Sequence, residues 1–132
     1  MKSMDQTPNK NTITFLPTVA ALELTYRCNH KCLFCSCPWE ADNTYISSEM
    51  SANEWKKAID VLIEYGVSSF TLTGGEPLMR DEIKTIIDIL LARGVSLNLI
   101  SNGRKIDNEF LDFLAKRKIS ICISVPGIES FE

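Results

Sequence analysis

The sequence predicts an α/β fold in which parallel strands alternate with helices. Two observations predict it. Three segments carry apolar residues at helical spacing with capping residues at their ends, and four short strand-like runs lie before and between them. Strands separated by helices of this length imply parallel pairing through right-handed crossovers. A length of 132 residues leaves room for one domain with one modest core.

The first predicted helix begins at a capping box formed by Ser51 and Glu54, and Gly66 is well placed to end it. Its inward positions follow at helical spacing: Trp55, Ala58, Ile59, Leu62 and Ile63.

The second predicted helix runs from about Arg80 to Arg93, with Gly94 after it. The third starts near Asp107 and ends in Lys116, Arg117 and Lys118, where the helix dipole favours positive charge. The predicted inward residues of these two helices are Ile83, Ile86, Ile87, Leu90, Phe110, Leu111 and Leu114.

The four strand-like runs are apolar on one face and largely polar on the other. The runs span residues 20–26, 68–74, 96–102 and 119–125. The apolar set is Leu22, Leu24, Tyr26, Phe70, Leu72, Leu97, Leu99, Ile119, Ile121 and Ile123. The opposite set is Glu23, Thr25, Arg27, Ser69, Thr71, Thr73, Ser96, Asn98, Asn102, Ser120, Cys122 and Ser124, with Ile100 as the main exception.

This one-sided pattern excludes two familiar arrangements. A sheet covered by helices on both faces has strands that are apolar on both sides, and a filled eight-stranded barrel has bulky residues inside. The pattern instead predicts a curved sheet with helices outside and a polar-lined concavity inside, which is part of a TIM-type (β/α) barrel with about four strands. A one-sided sheet with its polar face in water is the alternative.

Four strands would leave two open sheet edges, which is a liability in a finished domain. We therefore expect the N-terminal half of a larger core domain at residues 18–132, after a flexible lead at residues 1–17. A partner chain could also cover the edges.

Composition excludes several classes of function. A net charge of −3 gives no electrostatic case for nucleic acid or an anionic membrane, and no apolar run approaches a membrane span. The polar N-terminus lacks a secretory signal, so we expect a cytoplasmic protein with reduced thiols. Five cysteines, four of them between residues 28 and 37, favour metal or reactive-thiol chemistry over disulfides.

Three of these cysteines stand in the stretch CNHKCLFC, residues 28–35, directly after the first strand. In α/β folds, ligands bind at the carboxyl ends of the strands. Thiolates bind iron–sulfur clusters and zinc, but a structural zinc site takes four ligands, often as two separated pairs. No second pair follows here, so the three thiols would leave one metal position open. Structural zinc or spare thiols are the alternatives.

The chain resembles the radical S-adenosylmethionine (radical SAM) superfamily in two motifs. The first is CxxxCxxC after strand one, with the aromatic Phe34 before the last cysteine, and the second is TLTGGEP, residues 71–77, at the end of strand two. The resemblance implies that Cys28, Cys32 and Cys35 hold a [4Fe–4S] cluster. The fourth iron would then be open to the methionine moiety of SAM.

The resemblance also implies residues that contact SAM. Phe34 would lie against the adenine. Gly74, Gly75 and Glu76 would receive the amino group, and Pro77 would fix the turn. Asn102 and Ser124, which end strands three and four, are further expected contacts. Many relatives with a C-terminal cluster domain have Asp-Gly near the end of strand four, whereas this chain has Pro126-Gly127.

The implied activity is reductive cleavage of SAM to a 5′-deoxyadenosyl radical, which abstracts hydrogen from a substrate. The motifs resemble the branch that modifies peptides, proteins or small metabolites and often carries auxiliary clusters. The expected partners are a reductant such as flavodoxin or ferredoxin and a peptide or small-molecule substrate. The alternative function is a non-catalytic iron–sulfur or zinc protein for electron transfer or structure.

Two further cysteines and the histidine also have a predicted environment. Cys37 is expected not to bind the cluster, although Cys35-Ser-Cys37 could supply a fourth ligand. His30, the single histidine, is expected to be exposed on the cysteine loop, with a hydrogen bond near the cluster as the alternative. Cys122 is expected to face the concavity as a packing residue.

Overall fold

The computed structural model describes residues 17–32, 34–35 and 49–125. Strands and helices alternate in the predicted order, β-α-β-α-β-α-β. The elements are β1 (Val19–Glu23), α1 (Ala52–Glu64), β2 (Ser69–Thr73), a short 3₁₀ helix (Pro77–Met79), α2 (Ile83–Leu91), β3 (Ser96–Ser101), α3 (Asn108–Arg117) and β4 (Ser120–Ile123). Within the described residues, no helix has the length and apolar character to cross a bilayer.

The four strands form one parallel sheet in the order β1-β2-β3-β4, so each strand pairs with its neighbours along the chain. Leu22 pairs with Leu72, Leu72 with Leu99, and Leu99 with Ile121. This register places apolar residues in a row across one face of the sheet. The prediction of a parallel α/β sheet is confirmed.

The core lies between this apolar face and the helices. Leu22, Phe70, Leu72 and Leu99 are buried against apolar residues of all three helices. The buried helical members of this core are Ala52, Ile59, Ile83, Ile86, Ile87, Leu90, Phe110 and Leu114. The polar residues Ser96, Ser120, Cys122 and Ser124 are exposed, which matches the predicted one-sided pattern.

The predicted first strand, residues 20–26, is too long at its C-terminal end. β1 ends at Glu23, and the Leu24 N–H still donates to the Thr73 carbonyl at 3.0 Å before the chain turns away. The strand alternation therefore fails beyond this point. Thr25 is buried although it was assigned to the polar face, and Tyr26 is 38% exposed although it was assigned to the apolar face.

The second helix begins at Ile83 and ends at Leu91, inside the predicted range of 80–93. The 3₁₀ helix ends at Met79, and Arg80 has an extended backbone, with φ −88° and ψ 120°. In the third helix, the inward assignment of Leu111 is wrong, since this side chain is 45% exposed. Phe113 packs against the core instead and stacks on Phe110.

The predicted capping box of α1 is confirmed, and so is the predicted start of α3 near Asp107. Ser51 accepts a hydrogen bond from the Glu54 N–H, and the Glu54 carboxylate accepts one from the Ser51 N–H at 2.8 Å. This pairing holds the pKa of Glu54 below its usual value, mainly through the hydrogen bonds from Ser51. Asp107 caps α3 by accepting from the Phe110 N–H at 2.7 Å.

An ion pair joins α1 to the segment just after α2. The Arg93 Nε donates to Asp60 at 2.5 Å, and its Nη1 donates to the Ile89 carbonyl at 2.6 Å. The hydrogen bond from Arg93 is the main reason that the pKa of Asp60 lies below its usual value, with a smaller contribution from Lys56.

Because the pKa of Asp60 is lowered by folding, this pair stabilises the protein above the ordinary carboxyl pKa. The contribution is lost as the pH falls through the lowered value. We expect Asp60→Asn to be less stable than wild type at about pH 7, and we expect this difference to shrink when the pH is lowered to about 2. Urea unfolding at both pH values measures this. Asp112→Asn, at an exposed carboxylate on α3, is the control. A deficit that does not shrink at low pH would contradict the prediction.

Candidate active site

The segment that carries the cysteines packs on the turn after β2. The Gly75 N–H donates to the Thr25 carbonyl at 2.7 Å, and the Glu76 N–H donates to the Arg27 carbonyl at 2.8 Å. These bonds continue the pairing of β1 with β2 beyond the strands. They bring the TLTGGEP motif against the base of the CxxxCxxC motif.

Gly74 and Gly75 are required here because backbone lies directly on them. A Cβ atom on Gly75 would come within 2.8 Å of the Tyr26 carbonyl oxygen and would meet the Arg27 carbonyl oxygen. A Cβ atom on Gly74 would collide with the Thr25 carbonyl oxygen, and the φ of Gly74 is +135°. The two glycines therefore allow the chain before the cysteines to pack without side chains between.

The carboxylate of Glu76 connects this turn to the end of β3. Glu76 is 1% exposed. One carboxylate oxygen accepts from the Leu78 N–H at 3.0 Å and from the Ser101 hydroxyl at 2.8 Å. The other oxygen accepts from the Asn102 N–H at 2.7 Å. A buried carboxylate needs such donors, so the position of the β3 end is tied to that of the turn.

These contacts surround a half-open cavity of about 210 Å³ at the carboxyl ends of the strands. Nine of the ten residues predicted as cofactor ligands or contacts line it: Cys28, Cys32, Phe34, Cys35, Gly74, Gly75, Glu76, Asn102 and Ser124. The tenth, Pro77, does not line it; Pro77 is buried at the start of the 3₁₀ helix. Cys37, Pro126 and Gly127, together with residues 1–16 of the predicted lead, lie outside the described residues.

Four more described residues line the cavity, and three of them have no role in the sequence-based prediction. These three are Thr73, Ile100 and Ser101. The fourth is His30, and the expectation that His30 is simply exposed is wrong. Its Nε2 atom is buried and has no hydrogen-bond partner among the described residues. A buried imidazole nitrogen without a partner, beside a cavity, is available to a bound ligand.

Cys28 receives N–H groups from two directions. The backbone of His30 donates to it, and the Asn102 side-chain amide lies 3.8 Å from its sulfur. The same amide donates to the side-chain oxygen Oδ1 of Asn29 at 2.8 Å. Burial raises the pKa of the Cys28 thiol, the His30 bond opposes this, and Glu76 and the other two cysteines add to the rise. Metal binding at this sulfur would therefore have to displace a proton.

The donor set fits an iron–sulfur cluster. The four cysteines of the described residues are thiols, and three of them face one cavity. In the part of the chain that the structure describes, no three His, Cys, Asp or Glu side chains converge closely enough for a single metal ion. A [4Fe–4S] cluster makes no such demand, since each cysteine binds a different iron. N–H groups directed at a cysteine sulfur are also typical of cluster sites.

Ser101 shows how a missed residue could have been found. It follows Leu97 and Leu99 on the apolar face of β3, where a polar residue needs a buried partner. Its 1% exposure and its bond to Glu76 meet that need. The sequence offers no such signal for His30, because its loop lacks a regular period.

Comparison with known proteins identifies the family. The sequence pattern of the radical SAM superfamily matches residues 22–130. The chain belongs to this superfamily. The family resemblance read from CxxxCxxC and GGEP is confirmed, and it implies a [4Fe–4S] cluster and SAM as cofactors.

Curated relatives include a protein named as a peptide cyclase and a protein named as a maturation protein. The chain is 33% identical over 115 residues to a PqqA peptide cyclase of Bradyrhizobium diazoefficiens, covering 86% of this chain and 30% of that protein. It is 28% identical over 118 residues to the sporulation killing factor maturation protein SkfB of Bacillus subtilis, covering 89% and 28%. The chain thus spans less than a third of the length of these relatives.

Solved structures show the same fold. Streptococcus suis SuiB bound to S-adenosylmethionine superimposes with a TM-score of 0.69 at 22% identity, covering 83% of this chain and 24% of that chain. SuiB bound to its precursor peptide SuiA gives a TM-score of 0.72 at 23% identity, with the same coverage. The four-stranded sheet described above is therefore the fold found in part of these two structures.

We expect Gly75→Ala to destabilise the protein by about 1–3 kcal/mol, as overpacking does, because the added methyl group meets backbone carbonyls that cannot rotate away. Urea unfolding measures the loss. Gly94→Asn is the control, since nothing lies within 4 Å of its Cβ position and asparagine tolerates a φ of +69°. Equal losses in the two variants would contradict the packing argument.

Proposed function

We propose that this chain holds a [4Fe–4S] cluster through Cys28, Cys32 and Cys35 and binds SAM beside it, as part of an enzyme that abstracts hydrogen from a peptide. The observation that supports this most directly is the shared cavity. The three cysteines line it together with the GGE turn and the ends of β3 and β4. When bound, the cluster and SAM supply one-electron cleavage of the sulfonium to methionine and a 5′-deoxyadenosyl radical.

In this proposal, the turn after β2 binds the methionine end of SAM. The Glu76 carboxylate already accepts three hydrogen bonds from the protein. A carboxylate offers about four acceptor sites, so at most one remains on it for an amino group. Backbone carbonyls of Gly74, Gly75 and Glu76 would supply the other acceptors. Pro77, at the start of the 3₁₀ helix, would fix the turn that presents them.

The remaining predicted contacts have roles that follow from their chemistry. Phe34 is 72% exposed and offers an aromatic face on which adenine can stack. Ser124 would donate or accept a hydrogen bond from the end of β4. The Asn102 side chain already contacts Asn29 and Cys28, so it would act mainly by holding the cysteine segment. The unpartnered His30 Nε2 would bond to the cofactor or the substrate.

Peptide substrates are proposed because several relatives are named for peptide cyclisation or maturation. A flavodoxin or ferredoxin would supply the electron, and a cytoplasmic location would keep the thiols reduced. Residues 18–132 would then be the N-terminal half of the radical SAM core domain.

Anaerobic reconstitution with iron and sulfide, followed by SAM and dithionite, tests the proposal. We expect about four irons per chain and an electron paramagnetic resonance spectrum of the reduced cluster that changes when SAM is added. Release of 5′-deoxyadenosine would support the radical chemistry. A colourless protein with one zinc, or a cluster whose spectrum does not change when SAM is added, would overturn the proposal. Either result would favour a structural or electron-transfer protein.

Single cysteine variants distinguish cysteines that bind the cluster from a cysteine that does not. We expect Cys28→Ala, Cys32→Ala and Cys35→Ala each to lose most of the bound iron, because each would remove the protein ligand of one iron. Cys122→Ala is the matched control: this residue is exposed on β4 and does not line the cavity. Iron content and visible absorption after reconstitution are the measurements. Loss of iron from the Cys122 variant, or its retention in all three others, would contradict the assignment.

A further inference from the structure

A buried arginine lies outside the cavity, beneath the segment that carries the cysteines. Arg80 is 5% exposed and donates to four residues. Its Nη1 reaches the Leu24 carbonyl at 3.2 Å and Glu49 at 3.0 Å. Its Nη2 reaches Glu82 at 2.9 Å and also donates to the Met50 carbonyl. Neither Arg80 nor Glu49 lines the cavity.

The acceptors of Arg80 come from both sides of the cysteines in the sequence. Leu24 lies four residues before Cys28, whereas Glu49 and Met50 lie where the described chain resumes ahead of α1. Glu49 also contacts the residues that precede the cysteines. It accepts a hydrogen bond from the Thr25 hydroxyl and one from Arg27, the latter at 3.5 Å.

Glu82 extends the network to the start of α1. Its other carboxylate oxygen accepts from the Ala52 N–H at 3.3 Å. Arg80 itself stands between the 3₁₀ helix and α2, four residues after Glu76. One guanidinium thus joins residues 24–27, residues 49–52 and the turn after β2.

We propose that Arg80 and Glu49 are positioning residues that hold the two flanks of the cysteine segment together, so that the three thiols face the cavity. This inference rests on the proposed function, because it concerns the seating of the cluster ligands. A planar guanidinium can donate to several acceptors at fixed angles, whereas an ammonium is a point donor on a flexible stem. Removing either side chain breaks the Arg80–Glu49 ion pair at 3.0 Å, and the pairs that remain, Arg80 with Glu82 and Glu49 with Arg27, each reach only part of the network. The contacts that hold the two flanks together are therefore weakened.

The test uses Arg80→Gln, Arg80→Lys and Glu49→Gln, with Arg93→Gln as the matched control. Arg93 also pairs with a carboxylate and a backbone carbonyl, but it lies just after the C-terminal end of α2 and its partners there are Asp60 and Ile89. Two quantities are measured. The first is amide hydrogen exchange in the cluster-free protein at Leu24, Gly75 and Glu76. The N–H groups of these residues form the backbone hydrogen bonds between residues 24–27 and residues 73–76. The second is iron bound after reconstitution.

We expect Arg80→Gln and Glu49→Gln to speed exchange at these three amides roughly tenfold, through easier local opening, and to leave α3 amides such as that of Leu111 unchanged. The iron content of these two variants should fall to less than about half of that of wild type. In both measurements, Arg80→Lys should lie between wild type and Arg80→Gln. Arg93→Gln should change neither quantity at the site. If Arg80→Gln does not fold, Glu49→Gln still decides the question. The Glu49 side chain is more exposed than that of Arg80, 12% against 5%, so its substitution disturbs folding less.

Equal acceleration at all amides, or equal effects of the Arg80 and Arg93 variants, would overturn the positioning role. Wild-type behaviour of Arg80→Lys in both measurements would also overturn it, since charge alone would then suffice. The exchange measurement needs no cluster. A wild-type protein that binds no iron would therefore refute the proposed function, while the exchange rates still decide on the role of Arg80.

Discussion

Where the chain crosses from β1 towards the cysteines, the backbone of residues 25–27 rests on Gly74 and Gly75 with no side chain between them. Two backbone hydrogen bonds, from Gly75 and Glu76 to the carbonyls of Thr25 and Arg27, hold the segments at that distance. The remaining geometry of the cavity depends on this contact, because a shift of either segment moves the thiols away from the turn. Because the two glycines allow this backbone contact, the site has its shape before any ligand binds.

The turn after β2 organises both sides of the site with two charged residues. Glu76 accepts hydrogen bonds from the end of β3, and Arg80 donates to the flanks of the cysteine segment. Both side chains are almost completely buried, so neither charge is stable without its partners. The turn, the cysteine segment and the end of β3 are thus coupled through desolvated charges rather than through apolar packing.

Regular elements could be predicted from the sequence because their signals are local. The capping box at Ser51 and the alternation of Leu97 and Leu99 depend on residues a few positions apart. The motif residues at the cavity could be predicted because the family pattern carries them. Thr25, Tyr26 and Arg80 could not, since their environments depend on partners more than twenty residues away or on a strand that ends early. No period or motif in the sequence encodes those partners.

The strand order has a consequence for how the site forms during synthesis. Val19 pairs with Ser69, Ser69 with Ser96, and Asn98 with Ser120, so each new strand adds to the edge that the previous strand left open. Such a sheet can assemble in the order in which the ribosome releases it. The cysteines emerge first, and the turn that seats them and the arginine beneath them follow by residue 80. The segment that carries the thiols can therefore be seated on this turn early, before the last strand has been made.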